Sequence, residues 1–217
     1  MSRNGIPVQA INPDLFEVRL KDTDDPVAGK TQWEPAKSGG ANFKTQKLTS
    51  ENGVLKVSST VGHRIFGLVF LIPGLAAVLV GCPWSISNGE WGTGLFFLVW
   101  GVLFGGAGAL ILIMQKPFTI DPLRGVYYRG KLDMSAPATL DPDKRGSTHD
   151  IHAIQLLSER IRSSSSSGSS SYRSYELNLV FKDGSRINVM DHGKQAAIEE
   201  AAQVIAGALN IPVWKMA

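Results

Sequence analysis

Two apolar stretches decide the fold: IFGLVFLIPGLAAVLVGC at residues 65–82 and WGTGLFFLVWGVLFGGAGALILIM at residues 91–114. Between Arg64 and Lys116, the only Asp, Glu, Lys or Arg is Glu90. As helices, the two stretches would be about 27 and 36 Å long, and the hydrocarbon core of a bilayer is about 30 Å thick. A pair of buried core helices would carry a polar stripe, and neither stretch has one. The pattern therefore predicts two transmembrane helices.

The connection between the two stretches, PWSISNGE at residues 83–90, is short. It makes the helices antiparallel neighbours, so both chain termini lie on the same side of the membrane. The connection has no Lys or Arg, whereas both flanks are basic, which predicts a multi-pass membrane protein with both termini cytoplasmic. Trp84 and Trp91 lie where an interfacial aromatic belt is expected. The flanking cations are Lys47, Lys56, Arg64, Lys116, Arg124, Arg129 and Lys131.

Small residues recur at four-residue spacing in both stretches, which allows helices to approach closely. They are Ala77 and Gly81 in the first stretch and Gly101, Gly105 and Ala109 in the second. Two interpretations stay open: a dimerisation face, or packing of the two helices on each other, which we favour. Because neither stretch contains an ionisable group, transport and proton relay are poor hypotheses.

The overall composition excludes several classes of function. The chain has 22 Lys and Arg against 19 Asp and Glu, a net charge of +3 and a pI near 9.0. These charges are interspersed, so no basic block predicts a nucleic-acid partner. The single cysteine, Cys82, excludes an internal disulfide and a four-cysteine zinc site.

The segments before the membrane hairpin are predicted from turn residues and alternation. Residues 1–42 are rich in Pro and charge and predict a mostly irregular cytoplasmic N-terminal segment. Its strand-like stretch LFEVRL, at 15–20, either adds to a sheet edge or stays unstructured. Residues 43–63 predict a juxtamembrane β-hairpin that turns at Asn52–Gly53. The membrane hairpin itself is assigned to residues 64–115.

The last segment, residues 116–217, predicts a cytoplasmic β-rich domain with a C-terminal helix. Short alternating runs predict strands, and the serine-rich run 163–171 predicts a flexible spacer between two of them. Residues 194–210 show a helical apolar stripe, which Asp191 is placed to cap. The predicted strands are 117–121, 126–130, 151–161, 175–181 and 186–190. The predicted fold class is therefore a helical transmembrane hairpin plus an α+β domain, in which one C-terminal helix closes a curved antiparallel sheet.

Three stretches carry a family resemblance: IHAIQLLSERI at 151–161, YELNLVFKDGSRINVMDHG at 175–193 and AAQVIAGALNIPVW at 201–214. They resemble uncharacterised bacterial inner-membrane proteins that combine a transmembrane hairpin with a cytoplasmic β-rich domain. The order of strands followed by one helix is also similar to that of bacterial pleckstrin-homology-like domains. The resemblance implies a membrane-tethered binding or scaffolding module, and it transfers no catalytic residue and no cofactor.

The best candidates for metal chemistry are acids and histidines that are close in sequence. Asp150, His152, Asp191 and His192 could ligate a metal if the two loops met, which makes a metal-dependent enzyme or regulator the alternative function. His149 belongs to the same stretch but does not share one face with its neighbours. His63 lies at the membrane boundary. This pattern is weak, so we assign no metal site.

No motif predicts an enzyme. A G-x-S-x-G nucleophile elbow and phosphate-binding loops are missing from the sequence, and Cys82 at the end of the first helix is expected to be a buried, inert thiol. Four cations follow the second stretch and could hold anionic lipid head groups at about 1 kcal/mol each, although the topology alone explains their presence. They are Lys116, Arg124, Arg129 and Lys131. The predicted function is a non-enzymatic, membrane-anchored binding or scaffolding module. Its predicted partners are the bilayer and either another protein or a second copy, with weak anionic lipid contact and no nucleic acid.

Overall fold

The computed structural model describes residues 17–19, 24–36, 45–114, 116–132, 141–165 and 168–215, with only the backbone described at 17–19 and 162–170. The chain forms two compact units, which are treated separately below. The helical unit contains Thr45–Lys47 and Ser58–Pro117, and the β-rich unit contains Met1–Lys44, Leu48–Val57 and Phe118–Ala217. The elements are β1 Glu17–Arg19, β2 Gln46–Glu51, β3 Val54–Ser59, α1 Val61–Ala76, α2 Cys82–Ser87, α3 Trp91–Ile113, β4 Phe118–Asp121, β5 Val126–Arg129, β6 Arg145–Ser147, β7 Ile151–Ser165, β8 Gly168–Phe181, β9 Arg186–His192, α4 Gln195–Leu209 and β10 Val213–Lys215.

Two helices in the helical unit are long and apolar enough to cross a membrane, which agrees with the sequence prediction. A π-helical turn at Ala77–Gly81 joins α1 to α2, so the first helix runs from Val61 to Ser87. The second is α3. The connection is shorter than predicted, because residues 83–87 are helical and only 88–90 lie between the helices.

Glycines bring α1 and α3 into backbone contact. A Cβ atom added at Gly74 would lie 2.3 Å from the Gly105 nitrogen, and one added at Gly108 would lie 2.4 Å from the Leu71 nitrogen. Such approaches are closer than any side chain permits, so only glycine fits at these positions. A Cβ added at Gly101 would likewise lie 2.7 Å from the Gly74 carbonyl oxygen. Gly101 and Gly105, two of the residues at the predicted four-residue spacing, therefore pack against α1, and Gly74 and Gly108, which that spacing did not include, complete the contact.

The first sheet of the β-rich unit is a meander with the order β2-β3-β4-β5-β6. Its first turn is Asn52–Gly53, where φ is 51° and 80°. A two-residue hairpin turn requires positive φ at both positions, and Asn followed by Gly tolerates this best. Strand β3 pairs antiparallel with β4, with Leu55 opposite Ile120.

The second sheet has the order β1-β10-β7-β8-β9 and is mixed. Strand β10 is parallel to both β1 and β7, whereas β7, β8 and β9 pair antiparallel. The sequence predicted one antiparallel sheet, and the structure instead has two five-stranded sheets. Two sheets form because the hairpin of β2 and β3 pairs with β4, which places β2 to β6 in a sheet of their own. The second sheet is mixed because the chain returns to it after α4 as β10, and because Glu17–Arg19 adds at its edge.

Strands β7 and β8 continue through the serine-rich run that was predicted to be a flexible spacer. Their register extends from Ile151 opposite Phe181 to Ser165 opposite Gly168. Strand β10 pairs with β7 only at 154–156, and β9 pairs with β8 only from Tyr175 onward. The remaining part of the hairpin, residues 157–165 and 168–174, has no further strand beside it among the described residues. We call it the β7–β8 arm.

The hydrophobic core combines side chains from both sheets with the apolar stripe of α4. On α4, Ile198, Ala202 and Ile205 are buried. They belong to one cluster with Leu177 and Leu179 of β8. Burial at this spacing is what the helical stripe predicted. The other core residues include Leu55, Val57, Phe118, Ile120, Tyr127, Ile154, Phe181, Ile187, Val189, Met190 and Val213.

Residues 24–36, which we call the strap, pack against Ala153, Val180 and Trp214 of the second sheet through Val27 and Ala28. The Trp33 ring lies 6.0 Å from the Trp214 ring. Ala153, Val180 and Trp214 alternate along their strands with Ile154, Leu179 and Val213 of the main core, so they face the other side of the sheet. The strap therefore covers a sheet face that would otherwise expose apolar surface.

Candidate binding groove

An open groove of about 480 Å³ lies where the base of the β7–β8 arm meets the start of α4. Its wall combines apolar side chains with cations, a mixture that is typical of sites for small ligands. The lining residues are Leu156, Leu157, Ser158, Arg160, Arg173, Tyr175, Gln195, Ile198, Glu199 and Lys215.

Two arginines face each other across the arm. Arg160 lies directly opposite Arg173. This pair is the next one out along the arm from Glu159 opposite Ser174. Both arginine side chains are exposed. Directly opposite residues have Cβ atoms about 5 Å apart, and like charges at that spacing are destabilising. Neither guanidinium has a hydrogen-bond or ion-pair partner in the part of the chain that the structure describes.

The single acid of the groove is engaged inside the protein. Glu199 forms an ion pair with Lys215, and Gln195 Nε2 donates a hydrogen bond to the same carboxylate at 2.8 Å. Burial acts to raise the pKa of Glu199, but the hydrogen bonds from Lys215 and Gln195 outweigh it and hold the pKa below its ordinary value. Glu199 therefore neutralises Lys215, and the two arginines leave the groove with a net positive charge.

The start of α4 also borders the groove. The helix begins at Gln195 after Lys194, without a side-chain cap and without an acid in its first turn. The sequence predicted Asp191 as its cap, which is wrong. Asp191 accepts a hydrogen bond from Asn188 Nδ2 at 2.9 Å, and the Lys194 backbone N–H donates instead to His192 Nδ1 at 2.8 Å. The partial positive charge of this helix start is thus not offset by a nearby acid of the first turn.

Beneath the strap, the second sheet carries a buried polar network. Gln155 accepts hydrogen bonds from Asn178 Nδ2 at 3.2 Å and from Arg186 Nη1 at 3.0 Å, and its own amide donates to the Gln32 carbonyl at 2.9 Å. Glu176 accepts from Asn178 at 2.6 Å and from the Ala36 backbone N–H at 2.9 Å. Buried polar groups require such partners. This network holds the strap, and within the described chain its one buried atom without a hydrogen-bond partner is Asn178 Oδ1.

His152 is also bound to the strap. Its Nε2 lies 2.7 Å from Asp25 Oδ2, and its ring meets the Trp214 ring edge-on at 5.7 Å. Burial acts to raise the pKa of Asp25, whereas the hydrogen bonds from His152 and from the Val27 N–H lower it, and the net shift is downward. The sequence pattern proposed His152 as a candidate metal ligand. In the structure its partner is Asp25, which did not figure in that pattern.

The remaining candidates for a metal site are engaged separately. Asp150 is exposed, and the bonds of Asp191 and His192 serve the turn before α4. Within the described ranges, no three His, Cys, Asp or Glu side chains are close enough to share a metal ion. The exposed His149 lies beside the turn at Gly125. His63 belongs to the first turn of α1, and Cys82 is a buried free thiol.

The cations considered for lipid contact differ in their surroundings. Arg129 is half-buried; it donates to the Asn188 carbonyl at 2.7 Å and lies 5.1 Å over the Phe118 ring. Burial lowers its pKa, although Asp143 and Asp191 oppose this effect. Arg124 pairs with Asp121 at 3.6 Å. Lys116 and Lys131 are exposed.

A second depression, of about 510 Å³, lies around Tyr127 and Arg145. The Tyr127 hydroxyl donates to the Pro142 carbonyl at 3.0 Å. Burial, with added effects from Asp150, Asp143 and Asp141, raises the pKa of Tyr127 to about 12. Tyr127 is therefore a neutral, structural hydrogen-bond donor here.

Sequence reasoning missed Arg160 and Arg173. Alternation along each strand could have shown that Arg160 shares a face with Ser158, and that Arg173 shares a face with Tyr175. The sequence does not reveal that Arg160 faces Arg173, because the composition of the serine-rich run predicts a spacer and gives no strand register.

Comparison of the sequence with known protein families, with curated proteins and with solved structures found no match.

Proposed function

We propose that the chain is a membrane-anchored, non-enzymatic binding module of the inner membrane, which acts at the cytoplasmic face and has both termini in the cytoplasm. The observation that carries the proposal is the groove. It is open and lined by apolar and basic groups, and its two arginines have no partner among the described residues. An open groove with unsatisfied charge favours a ligand or partner that completes it.

Support for the anchor comes from the helical unit and from charge. The two helices are long and apolar enough to cross a membrane, and their contact is made by glycine, as is common between membrane helices. The connection between them has no cation, which favours a non-cytoplasmic location for it. On this proposal β2 and β3 form the juxtamembrane hairpin.

We also infer that α4 is the cover that closes the second sheet, in the manner expected of a pleckstrin-homology-like module. Its stripe of Ile198, Ala202 and Ile205 supports this inference, because each side chain is at most 1% exposed. The cover matters for binding, since the start of α4 forms one wall of the groove. Removing the helix would therefore remove the groove as well as the core.

The other polar groups support binding in the groove rather than elsewhere in the β-rich unit. The Gln155 network and the pair of His152 with Asp25 are engaged with the strap. Arg129 is held by a backbone carbonyl. Arg160 and Arg173 are the cations whose environment favours an external partner.

Photo-crosslinking in native membranes tests the proposal. A benzophenone amino acid replaces Ser158, an exposed residue of the groove, in the full chain, and the same amino acid at Lys182 is the matched control. Lys182 is equally exposed but lies in the turn between β8 and β9. After irradiation, mass spectrometry reads whether the chain has gained another protein, a second copy or a small molecule.

We expect an adduct from position 158 in higher yield than from position 182. An adduct with a second copy or with another protein would identify a scaffolding role. An adduct with a small molecule would identify a ligand-binding role. Equal yields at the two positions, or no adduct at either, would contradict binding in the groove.

A further inference from the structure

We propose that the groove holds the phosphate group of an organic phosphate, with Arg160 and Arg173 as its two anchors. The inference rests on the proposed function and names the ligand class of that same site. An apolar portion of the ligand would pack against Leu156 and the Tyr175 ring, which line the same groove.

The first argument is the charge balance of the arm. Two guanidinium groups at directly opposite strand positions repel each other, and no acid of the described chain is paired with either. Glu199 lines the groove but already pairs with Lys215. An external anion placed between the arginines would replace this repulsion with two attractions.

The number of donors favours phosphate over carboxylate. A guanidinium presents a planar fork that binds two oxygens at once, and one fork is enough for a carboxylate. A carboxylate has two acceptor oxygens and one negative charge, whereas a phosphate monoester carries close to two negative charges and so matches two cations better. A terminal phosphate carries three such oxygens, and the hydroxyls of Ser158 and Tyr175 are further donors in the lining.

The size and the lining of the groove favour an organic phosphate over the free ion. The volume of about 480 Å³ lies within the range of sites for small organic ligands, which is about 300–1,000 Å³, and a bare phosphate fills only a small part of it. Leu156 and the half-buried Tyr175 ring provide apolar surface beside the arginines. The start of α4 adds partial positive charge at the same wall.

Two sources could supply this chemistry: a water-soluble organic phosphate, or a phospholipid with a terminal phosphate. The test uses the full chain in phosphatidylcholine nanodiscs, titrated with phenyl phosphate in a calorimeter. Phenol is the control that lacks the anion. A second set of nanodiscs contains phosphatidic acid, and reduced binding of phenyl phosphate in that set alone would identify the lipid as the source. Unchanged binding would identify the soluble source, and either result supports the phosphate site.

Variants then locate the binding. Arg160→Gln and Arg173→Gln should each weaken phenyl phosphate at least tenfold, while Lys182→Gln, which removes an exposed cation outside the groove, should change it less than twofold. Arg173→Lys keeps the charge but loses the fork, so its affinity should fall between those of Arg173→Gln and the unaltered chain. Because both arginines are exposed, these variants are expected to fold, which far-ultraviolet circular dichroism checks.

Three results would overturn the phosphate site: phenyl phosphate that binds no better than phenol in both sets of nanodiscs, Arg160→Gln with the affinity of Lys182→Gln, or tighter arginine-dependent binding of a hexaglutamate peptide. In the last case the ligand would be an acidic protein segment, and the groove would still be the binding site of the proposed function. If position 158 also gave no crosslink, the proposed function would fail with it.

Discussion

Replacing Ile205 by Ala tests whether α4 holds the β-rich unit together. The Ile205 side chain is fully buried and belongs to the cluster that combines α4 with both sheets. The change removes three carbon groups worth about 0.8 kcal/mol each in transfer free energy, and the cavity left behind adds to this loss. We therefore expect the free energy of unfolding to fall by about 3 kcal/mol.

The measurement is urea unfolding of the full chain in mild detergent, read by pulse proteolysis. The whole chain is needed because Leu55 and Val57, which precede the helices, belong to the same core. With a denaturant slope of about 2 kcal/mol per molar urea, the expected loss lowers the midpoint by about 1.5 M.

Two further variants make the result specific. Ile205→Val removes one carbon group and should cost about 1 kcal/mol. Glu200→Ala, at an exposed position of the same helix, should change stability by less than about 0.5 kcal/mol. Glu199 would be a poor control because it pairs with Lys215. If Ile205→Ala and Glu200→Ala had the same midpoint, α4 would not be the cover of the sheet.

Three further predictions concern the strap, the helical unit and the topology. Asp25 has a lowered pKa in the folded chain, so its stabilising effect is present above the unfolded pKa and is lost as the pH falls through the folded pKa. The difference in unfolding free energy between the natural chain and Asp25→Asn, measured by urea unfolding, should therefore shrink between pH 6 and pH 3. A constant difference would contradict the pairing of Asp25 with His152. Gly74→Leu should increase the rate of proteolysis of the helical unit in detergent, because a side chain at this position would collide with Gly105. Gly106→Leu adds a side chain where the space is open, so this variant should be cleaved at the rate of the natural chain. In a Cys82→Ala background, a membrane-impermeant thiol reagent applied to intact cells should label a cysteine at Ser87 and not one at Lys182, and equal labelling would refute cytoplasmic termini.

The sequence predicted those features that depend on local patterns. Long apolar runs predict membrane-length helices whatever surrounds them, and the stripe that contains Ile198 and Ile205 predicts a helix with one buried face. The positive φ angles at Asn52 and Gly53 follow from the preference of that dipeptide for a tight turn.

Other features depend on pairing between distant segments, which periodicity does not reveal. The parallel pairing of β10 with β7 joins Val213 to Ile154, and the short apolar run around Val213 gives no sign of its partner. The serine-rich run looks like a spacer by composition, yet each residue from Ser163 to Ser165 has a cross-strand partner. The bond of His152 to Asp25 likewise joins segments that are 127 residues apart in the chain.

The pairing of β3 with β4 has a consequence for how the chain could be inserted in a membrane. These strands lie on either side of the helical segment in sequence, and they exchange backbone hydrogen bonds from Leu55 opposite Ile120 to Val57 opposite Phe118. Strands on opposite sides of a bilayer cannot pair, so if the helices cross a membrane, the chain must cross it an even number of times between β3 and β4. A product inserted with only one crossing would leave half of this sheet on the wrong side. Formation of the sheet would thereby discriminate between correctly and incorrectly inserted chains, and misinserted chains would expose unpaired strand edges to proteolysis.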